Sequence, residues 1–192
     1  MTRPRVLQST LIDGAAQSDA PTNSEINALR QVQRVVNGKA GKGAVGAARA
    51  LSLFGEHAIG WLAIGALGAA IDQRRRKEWL LAAGGVAVAH GASIAVKRVV
   101  RRPRPDHPDV QVLVGTPSKL SFPSSHAAST TAAAVLYGGL TGKRAAGAVV
   151  PPMLVSRMVL GVHYPSDVLA GSALGGLIGA VVLRWLRPKK GA

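Results

Sequence analysis

The sequence predicts an all-α protein, a polytopic membrane helix bundle with about five transmembrane helices behind a polar N-terminal segment. Apolar stretches rich in Ala, Gly, Val and Leu carry this prediction, because lengths near 20 residues match the roughly 30 Å hydrocarbon core of a bilayer. Short basic clusters separate the stretches, as lipid headgroups favour. The apolar stretches are residues 51–71, 79–96, 126–142, 145–162 and 168–186.

Composition and charge exclude some kinds of site and some classes of binding partner. The chain of 192 residues carries 24 Lys+Arg against 9 Asp+Glu, a net charge of +15, and has no Cys. The missing Cys excludes disulfides, thiolate metal sites and cysteine nucleophiles. Nucleic acid is disfavoured as a partner because the charges lie between apolar stretches and only 4% of residues are aromatic. We therefore expect a multi-pass protein of the cell membrane that contacts the bilayer.

A soluble bundle of buried helices is the alternative fold. It is disfavoured because such helices interleave polar residues at the helical period, which these stretches do not. Gly171, Gly175 and Gly179 recur at four-residue spacing, and this pattern predicts close helix packing in lipid. The Pro151-Pro152 pair is expected to kink or delay the fourth helix.

The sequence divides into a basic N-terminal tail, residues 1–43, and a transmembrane domain, residues 44–192. Polar residues 22–24 offer an N-cap. Apolar residues then recur at helical spacing, namely Ile26, Leu29, Val32 and Val36. This pattern predicts a short amphipathic helix on the membrane surface, with a solvated flexible tail as the alternative.

The first group of candidate functional residues lies at the end of the second apolar stretch. Lys97 and Arg104 are separated by six residues, and Pro105 stiffens the chain behind them. An ammonium group on a helix and a guanidinium group on a fixed turn can together bind a tetrahedral oxyanion. Arg98 and Arg101 lie in the same basic run, and we expect them to face lipid headgroups.

The second element, Pro123-Ser124-Ser125-His126, begins the third apolar stretch. A Pro before a helix and hydroxyl groups at its first positions are typical of an anion-binding site. The backbone N–H groups and the helix dipole there attract negative charge. A plain N-cap explains the hydroxyl groups, but it does not require His126.

The third element bridges the fourth and fifth stretches, from Ser156 to Asp167. Arg157 lies within an apolar stretch, where a charge is costly and usually marks function. Asp167 follows His163 by four residues, close enough to accept the imidazole N–H, as in general bases and nucleophiles.

Alternating helices bring all three elements to one face of the membrane. Glu56 and His57 lie near that face and are candidates for substrate recognition. His90 lies seven residues before Lys97, on the same side of its helix. Hydrogen bonding between helices is the alternative role for these three residues.

Together the elements resemble the type 2 phosphatidic acid phosphatase (PAP2) superfamily, whose pattern is K-x6-R-P, P-S-G-H and S-R-x5-H-x3-D. The first and third elements match in spacing, whereas Ser125 stands where the second has Gly. The resemblance covers residues 97–167. Soluble vanadium haloperoxidases share the pattern, but the apolar stretches favour the membrane lipid-phosphatase branch.

The resemblance implies a phosphatase that forms a phosphohistidine and needs no metal or other cofactor. His163 is then the nucleophile, Asp167 orients it, and His126 protonates the leaving oxygen. The residues implied in binding the phosphoryl oxygens are Lys97, Arg104, Ser124, Ser125, Ser156 and Arg157.

The short chain, the run Gly55-Glu56-His57-Ala58 and the Ser-Ser-His variant resemble small actinobacterial members of the family. That resemblance implies a lipid-linked substrate, decaprenylphosphoryl-5-phosphoribose, a precursor of cell-wall arabinan. A polyprenyl pyrophosphate and phosphatidylglycerophosphate are the alternative substrates. A non-enzymatic lipid-binding subunit is the alternative from another class, disfavoured by the intact His126, His163 and Asp167. The sequence leaves the oligomeric state and the membrane side of the site open.

Overall fold

The computed structural model describes residues 22–36, 38 and 41–186, which form helices joined by turns and one long loop, residues 101–124. The all-α prediction is confirmed. Most of the predicted tail, residues 1–21, and the basic C-terminal end, residues 187–192, lie outside the described residues. The α-helices are α1 (Asn23–Val36), α2 (Gly41–Gly55), α3 (Ile59–Ile71), α4 (Arg76–Val100), α5 (Ser125–Thr141), α6 (Val150–Val159) and α7 (Pro165–Leu186).

Three helical segments are long and apolar enough to cross a bilayer: Gly41–Ile71, Gln73–Val100 and Pro165–Leu186. The third and fourth apolar stretches form shorter helical segments, α5 with 17 residues and Ala145–Val159. Large apolar side chains are exposed along the long segments, where lipid can cover them. Examples are Ile59, Leu67, Leu81, Val88 and Leu177, each at least 59% exposed. This outer surface fits a bilayer and does not fit the alternative of a soluble bundle.

The short α5 lies at the centre of the bundle and packs against both α4 and α7. Most of its residues are buried, and they are predominantly Ala, Ser and Thr. Small side chains allow neighbouring backbones to approach closely. A Cβ atom added at Gly175 of α7 would overlap the backbone of Ala128, and one added at Gly171 would overlap the Ser124 carbonyl group. The close packing predicted from the glycine spacing is confirmed.

The first membrane-spanning segment is bent, although the sequence predicts one continuous helix there. A 3₁₀ turn, Glu56–Ala58, separates α2 from α3. His57 and Ala58 have φ angles of 48° and 60°, a left-handed conformation that residues with a Cβ atom rarely adopt. The bend follows Gly55, where an added Cβ atom would lie 2.7 Å from the His126 ring. Close contact with α5 therefore accompanies the break.

The fourth apolar stretch begins with a 3₁₀ segment, Arg144–Val149, before α6. Pro151 and Pro152 occupy the first turn of α6, where the missing N–H groups cost nothing. The predicted delay of this helix is thus observed.

The amphipathic helix predicted near the N-terminus forms as α1, but its apolar face contacts protein rather than a membrane surface. Ile26 and Leu29 are buried against Val110 and Tyr164. The Gln33 side chain also donates to the carbonyl groups of Gln111 and Val159, at 2.7 and 3.1 Å. Since α2 begins at Gly41, the boundary that we predict after residue 43 falls inside a helix.

Candidate active site

All three motif elements contribute to one cavity of about 410 Å³. Its polar wall is formed by basic and hydroxyl side chains from α4, the long loop, α5, α6 and the turn before α7. The motif residues that line it are Lys97, Arg104, Ser125, His126, Arg157 and His163. Glu56 and His57 line it from the bend in the first segment, and His90 lines it from α4.

His163 is buried between a guanidinium group and a carboxylate. Its Nε2 atom lies 3.2 Å from Nη1 of Arg104, and its Nδ1 atom lies 3.5 Å from Oδ2 of Asp167. Because a guanidinium nitrogen only donates, Nε2 is the acceptor and the ring proton lies on Nδ1, facing Asp167. Burial and the charges of Arg104 and Arg157 lower the pKa of His163 well below its usual value. The imidazole is therefore neutral at pH 7, with a lone pair on Nε2.

Asp167 is held in place on both sides. Its Oδ2 atom accepts the backbone N–H of Tyr164 at 2.8 Å, and its Oδ1 atom accepts Nη1 of Arg102 at 3.0 Å. The carboxylate is fully buried in the first turn of α7. These bonds fix the carboxylate beside Nδ1 of His163, four residues earlier.

Arg104 connects the long loop to the turn that carries His163. Its Nε atom donates to the Ser118 carbonyl at 2.8 Å, and Nη1 donates to the Val162 carbonyl at 2.7 Å. Burial lowers the pKa of Arg104 to about 10, so the side chain stays charged at neutral pH. The cation next to Nε2 of His163 is thus permanent under physiological conditions.

Lys97 lines the cavity, but its ammonium group is bound to the backbone. Nζ donates to the carbonyl groups of Leu120, Ser121 and Pro123, at 3.2, 2.9 and 2.9 Å. An ammonium group has only three N–H donors. Lys97 therefore anchors the loop that enters α5, and in this arrangement it acts on an anion through its charge.

Arg157 and His126 meet through Ser52, a residue of α2 outside the three motifs. Nη1 of Arg157 donates to the Ser52 hydroxyl group at 2.6 Å, and Nε2 of His126 donates to the Ser52 carbonyl at 3.0 Å. Oε2 of Glu56 lies 3.8 Å from the same His126 nitrogen. α2 thereby aligns the guanidinium and imidazole groups at the cavity wall.

Two of the three serines that we expect to bind phosphate are engaged elsewhere. Ser124 is the N-cap of α5, where its hydroxyl group accepts the Ala127 N–H, and the Ser156 hydroxyl donates to the Met153 carbonyl at 2.7 Å. Within the described part of the chain, neither residue lines the cavity, whereas Ser125 does. In this arrangement local backbone groups engage the hydroxyl groups of Ser124 and Ser156, and phosphate binding by these two residues stays a prediction.

Arg98 is a cavity residue that the sequence does not single out, since we expect it from sequence to face lipid headgroups. It lines the cavity from the last turn of α4. Sequence reasoning missed Arg102 and Glu25. Arg102 looks like one of several arginines in a run, and Glu25 looks like the last residue of a capping box that begins at Thr22. The Glu25 carboxylate instead contacts Arg102.

The comparisons with known proteins identify the family of the chain. The sequence pattern of the PAP2 superfamily matches residues 78–190. The decaprenylphosphoryl-5-phosphoribose phosphatase of Mycobacterium tuberculosis is 58% identical over 140 residues, which cover 73% of this chain and 79% of that protein. The protein of the same name from Mycolicibacterium smegmatis is 53% identical over 154 residues, which cover 80% and 84%.

The fold has a counterpart among solved structures. The transmembrane PAP2-type phosphatidylglycerolphosphate phosphatase from Bacillus subtilis superimposes with a TM-score of 0.68 over 91% of this chain and 90% of that one, at 23% identity. At this identity the likeness concerns the fold, which is that of a multi-pass membrane protein. Sequence pattern, relatives and fold agree, and we conclude that the chain is a membrane phosphatase that belongs to the PAP2 superfamily.

Proposed function

We propose that the chain hydrolyses the 5-phosphate monoester of decaprenylphosphoryl-5-phosphoribose. The substrate named for the two mycobacterial relatives supports this choice, since each covers more than 70% of the chain. The observation that carries the chemistry is the position of His163, whose Nε2 atom lies 3.2 Å from Nη1 of Arg104 at the wall of a cation-lined cavity.

The reaction proceeds in two displacements. The Nε2 lone pair of His163 attacks phosphorus, the bond from phosphorus to the ribose oxygen breaks, and His126 gives that oxygen a proton. The phosphoryl group is then on Nε2, while the Nδ1 proton still faces Asp167. Water next attacks phosphorus as His126 takes its proton, and His163 and inorganic phosphate are released.

Fixed cations stabilise the charge that develops on the phosphoryl oxygens. Arg157 is buried and Arg104 is half-buried at the cavity wall, and Lys97 adds a third charge from the end of α4. Donors fixed in advance in a water-poor site contribute several kcal/mol to such a step. In this mechanism these side chains supply the positive charge that a metal ion provides in other phosphatases.

The cavity also offers groups for the rest of the substrate, which carries a ribose and a second phosphoryl group. Arg98 lines the same cavity, and its guanidinium group can bind the phosphodiester that joins ribose to lipid. Glu56 suits a ribose hydroxyl group, because a carboxylate accepts hydrogen bonds from hydroxyl donors. Ile94 and Leu120 line the cavity with apolar side chains.

Phosphate release by the purified protein in lipid nanodiscs tests this substrate. The panel contains the phosphoribosyl lipid, a polyprenyl pyrophosphate and phosphatidylglycerophosphate, and His163→Ala controls for contaminating phosphatases. We expect kcat/KM for the phosphoribosyl lipid to exceed the other two by at least about tenfold, the effect of one well-placed polar contact. A preference for the pyrophosphate or for phosphatidylglycerophosphate would contradict the proposal.

A further inference from the structure

We propose that Glu25 of α1 is a positioning residue for the catalytic histidine. Its carboxylate fixes Arg102, and Arg102 in turn holds Asp167 beside His163. This inference rests on the proposed role of His163 as nucleophile and is independent of which lipid carries the phosphate.

A single guanidinium group bridges the two carboxylates. Nη2 of Arg102 lies 2.5 Å from Oε2 of Glu25, and Nη1 lies 3.0 Å from Oδ1 of Asp167. The Arg102 side chain is only 9% exposed, so solvent screens these pairs weakly. Because the guanidinium fork is rigid, a shift of one carboxylate is transmitted to the other.

Ser166 and Tyr164 complete the network around Arg102. The Ser166 hydroxyl accepts Nη1 of Arg102 at 2.6 Å and donates to Oε1 of Glu25 at 2.5 Å. The guanidinium carbon lies 4.2 Å from the centre of the Tyr164 ring, a cation–π contact. Arg102 therefore has one well-defined position. Glu25 supplies one of the contacts that define it and also holds Ser166, which supplies another.

Both ends of the Glu25–Arg102 pair are charged at neutral pH. Burial alone would raise the pKa of Glu25, but hydrogen bonds from Ser166 and Arg102 lower it below its usual value. Burial opposes the charge on Arg102 as well, yet the bond to Glu25 and the charge of Asp167 raise the pKa of Arg102. The Glu25 end of the bridge is thus a carboxylate–guanidinium ion pair.

The division of contacts shows what Glu25 contributes. With Nη2 bound to Glu25, Arg102 offers Asp167 only Nη1, and this bond uses Oδ1. Oδ2 is left for the Tyr164 N–H and the His163 ring. Without Glu25, both ends of the guanidinium fork can turn to Asp167, and a bidentate pair would draw Oδ2 away from His163.

Glu25 acts from outside the cavity and outside the segment that matches the family pattern. It is not among the described residues that line the cavity, and α1 precedes residue 78, where the match begins. A contribution of Glu25 to turnover therefore cannot come from contact with the substrate. It should appear in kcat and leave KM almost unchanged.

The chain offers a matched control on the same helix. Arg30 of α1 forms an ion pair with Asp109 of the long loop at 2.9 Å, with side chains 39% and 52% exposed. This pair also joins α1 to the body of the protein but does not touch Arg102. Arg30→Gln therefore separates attachment of the helix from positioning of Asp167.

The test compares Glu25→Gln with Arg30→Gln in the full chain in nanodiscs. We expect Glu25→Gln to lower kcat by about tenfold, as loss of an outer partner of a catalytic group typically does, with KM changed less than about twofold. Arg30→Gln should keep wild-type kcat. Hydrogen exchange of the α1 amides shows whether the helix stays docked, and we expect protection in Glu25→Gln to match that in Arg30→Gln.

A wild-type kcat in Glu25→Gln would overturn the proposal. So would an equal fall of kcat in both variants with equal loss of α1 protection, since docking alone would then explain the effect. If Glu25→Gln does not fold, Ser166→Ala replaces it and should lower kcat about threefold, whereas unchanged kcat would overturn the proposal. The kcat values of the variant and the wild type are compared on whichever ester the wild type hydrolyses. If the proposed substrate is incorrect, the substrate panel reveals this, and the comparison of kcat values still tests the role of Glu25.

Discussion

Nε2 of His163 lies 3.2 Å from Nη1 of Arg104, so the proposed nucleophile and a proposed phosphate ligand are in direct contact. A phosphoryl group bound by this guanidinium is already within reach of the imidazole lone pair. Such placement removes much of the entropic cost of bringing two reactants together. The same pair explains the tautomer of His163, because Arg104 donates to Nε2.

The first prediction is that hydrolysis does not require a divalent metal. Arg104, Arg157 and Lys97 supply fixed positive charge at the cavity, so treatment with EDTA should leave kcat/KM within about twofold. Orthovanadate should inhibit competitively, because it mimics five-coordinate phosphorus. Phosphate release before and after chelation measures the effect. Loss of activity with EDTA and recovery with Mg²⁺ would refute the claim that these side chains supply the positive charge needed for hydrolysis.

The second prediction concerns Arg98 and the phosphodiester of the substrate. Arg98→Gln should raise KM for the phosphoribosyl lipid about tenfold, since a charge-assisted hydrogen bond is lost. Ribose 5-phosphate lacks the second phosphoryl group, so its kcat/KM should not change. Arg101→Asn is the control, because Asn tolerates the left-handed backbone of Arg101, where φ is 57°. Equal effects of Arg98→Gln on both esters would contradict a second anion subsite.

The third prediction separates recognition from packing at Glu56. If its carboxylate accepts a ribose hydroxyl group, Glu56→Gln should raise KM for the phosphoribosyl lipid about fivefold and spare simple lipid monophosphates. Glu56 also lies near His57 and His126, at 3.5 and 3.8 Å. A packing role would therefore lower thermal stability and slow all substrates alike. Uniform losses across the panel in a well-folded variant would exclude recognition.

The fourth prediction tests the contact between α5 and α7. Gly175→Ala places a methyl group on the backbone of Ala128 and should cost about 1–3 kcal/mol of unfolding free energy. Gly176→Ala is the neighbouring control, since its methyl group would lie 3.7 Å from Thr131. Thermal unfolding in nanodiscs compares the two. A melting temperature lowered equally in both variants would show that α5 and α7 are not in close contact there.

Local patterns predicted most of the fold. The apolar stretches and the glycine spacing are properties of single segments, and the helices follow them closely. The bend at His57 and Ala58 is different, because it accompanies contact between Gly55 and His126, which are far apart in sequence. Hydrophobicity alone contains no sign of such a contact.

The candidate site was likewise predicted in part from local spacing, and the rest of it depends on tertiary contacts. The spacing of Lys97, Arg104, His126 and His163 predicted a shared location, and these residues line one cavity. The directions of the Ser124 and Ser156 hydroxyl groups depend on backbone acceptors and donors within the same turn, so residue type could not predict them. Ser52 and Arg157 are 105 positions apart, and Glu25 and Arg102 are 77 apart. Only tertiary packing brings such pairs together.

Trapping the phosphoenzyme tests the central claim most directly. His126→Ala removes the proposed proton donor and the base that activates water, while His163 stays intact. With p-nitrophenyl phosphate, whose leaving group needs little protonation, phosphorylation should continue and hydrolysis of the intermediate should be slow. The variant should then accumulate an acid-labile phosphohistidine, which peptide mapping assigns to His163. His163→Ala should form no phosphoenzyme and should lose turnover with every substrate, whereas a phosphoryl group found on His126 would contradict the account.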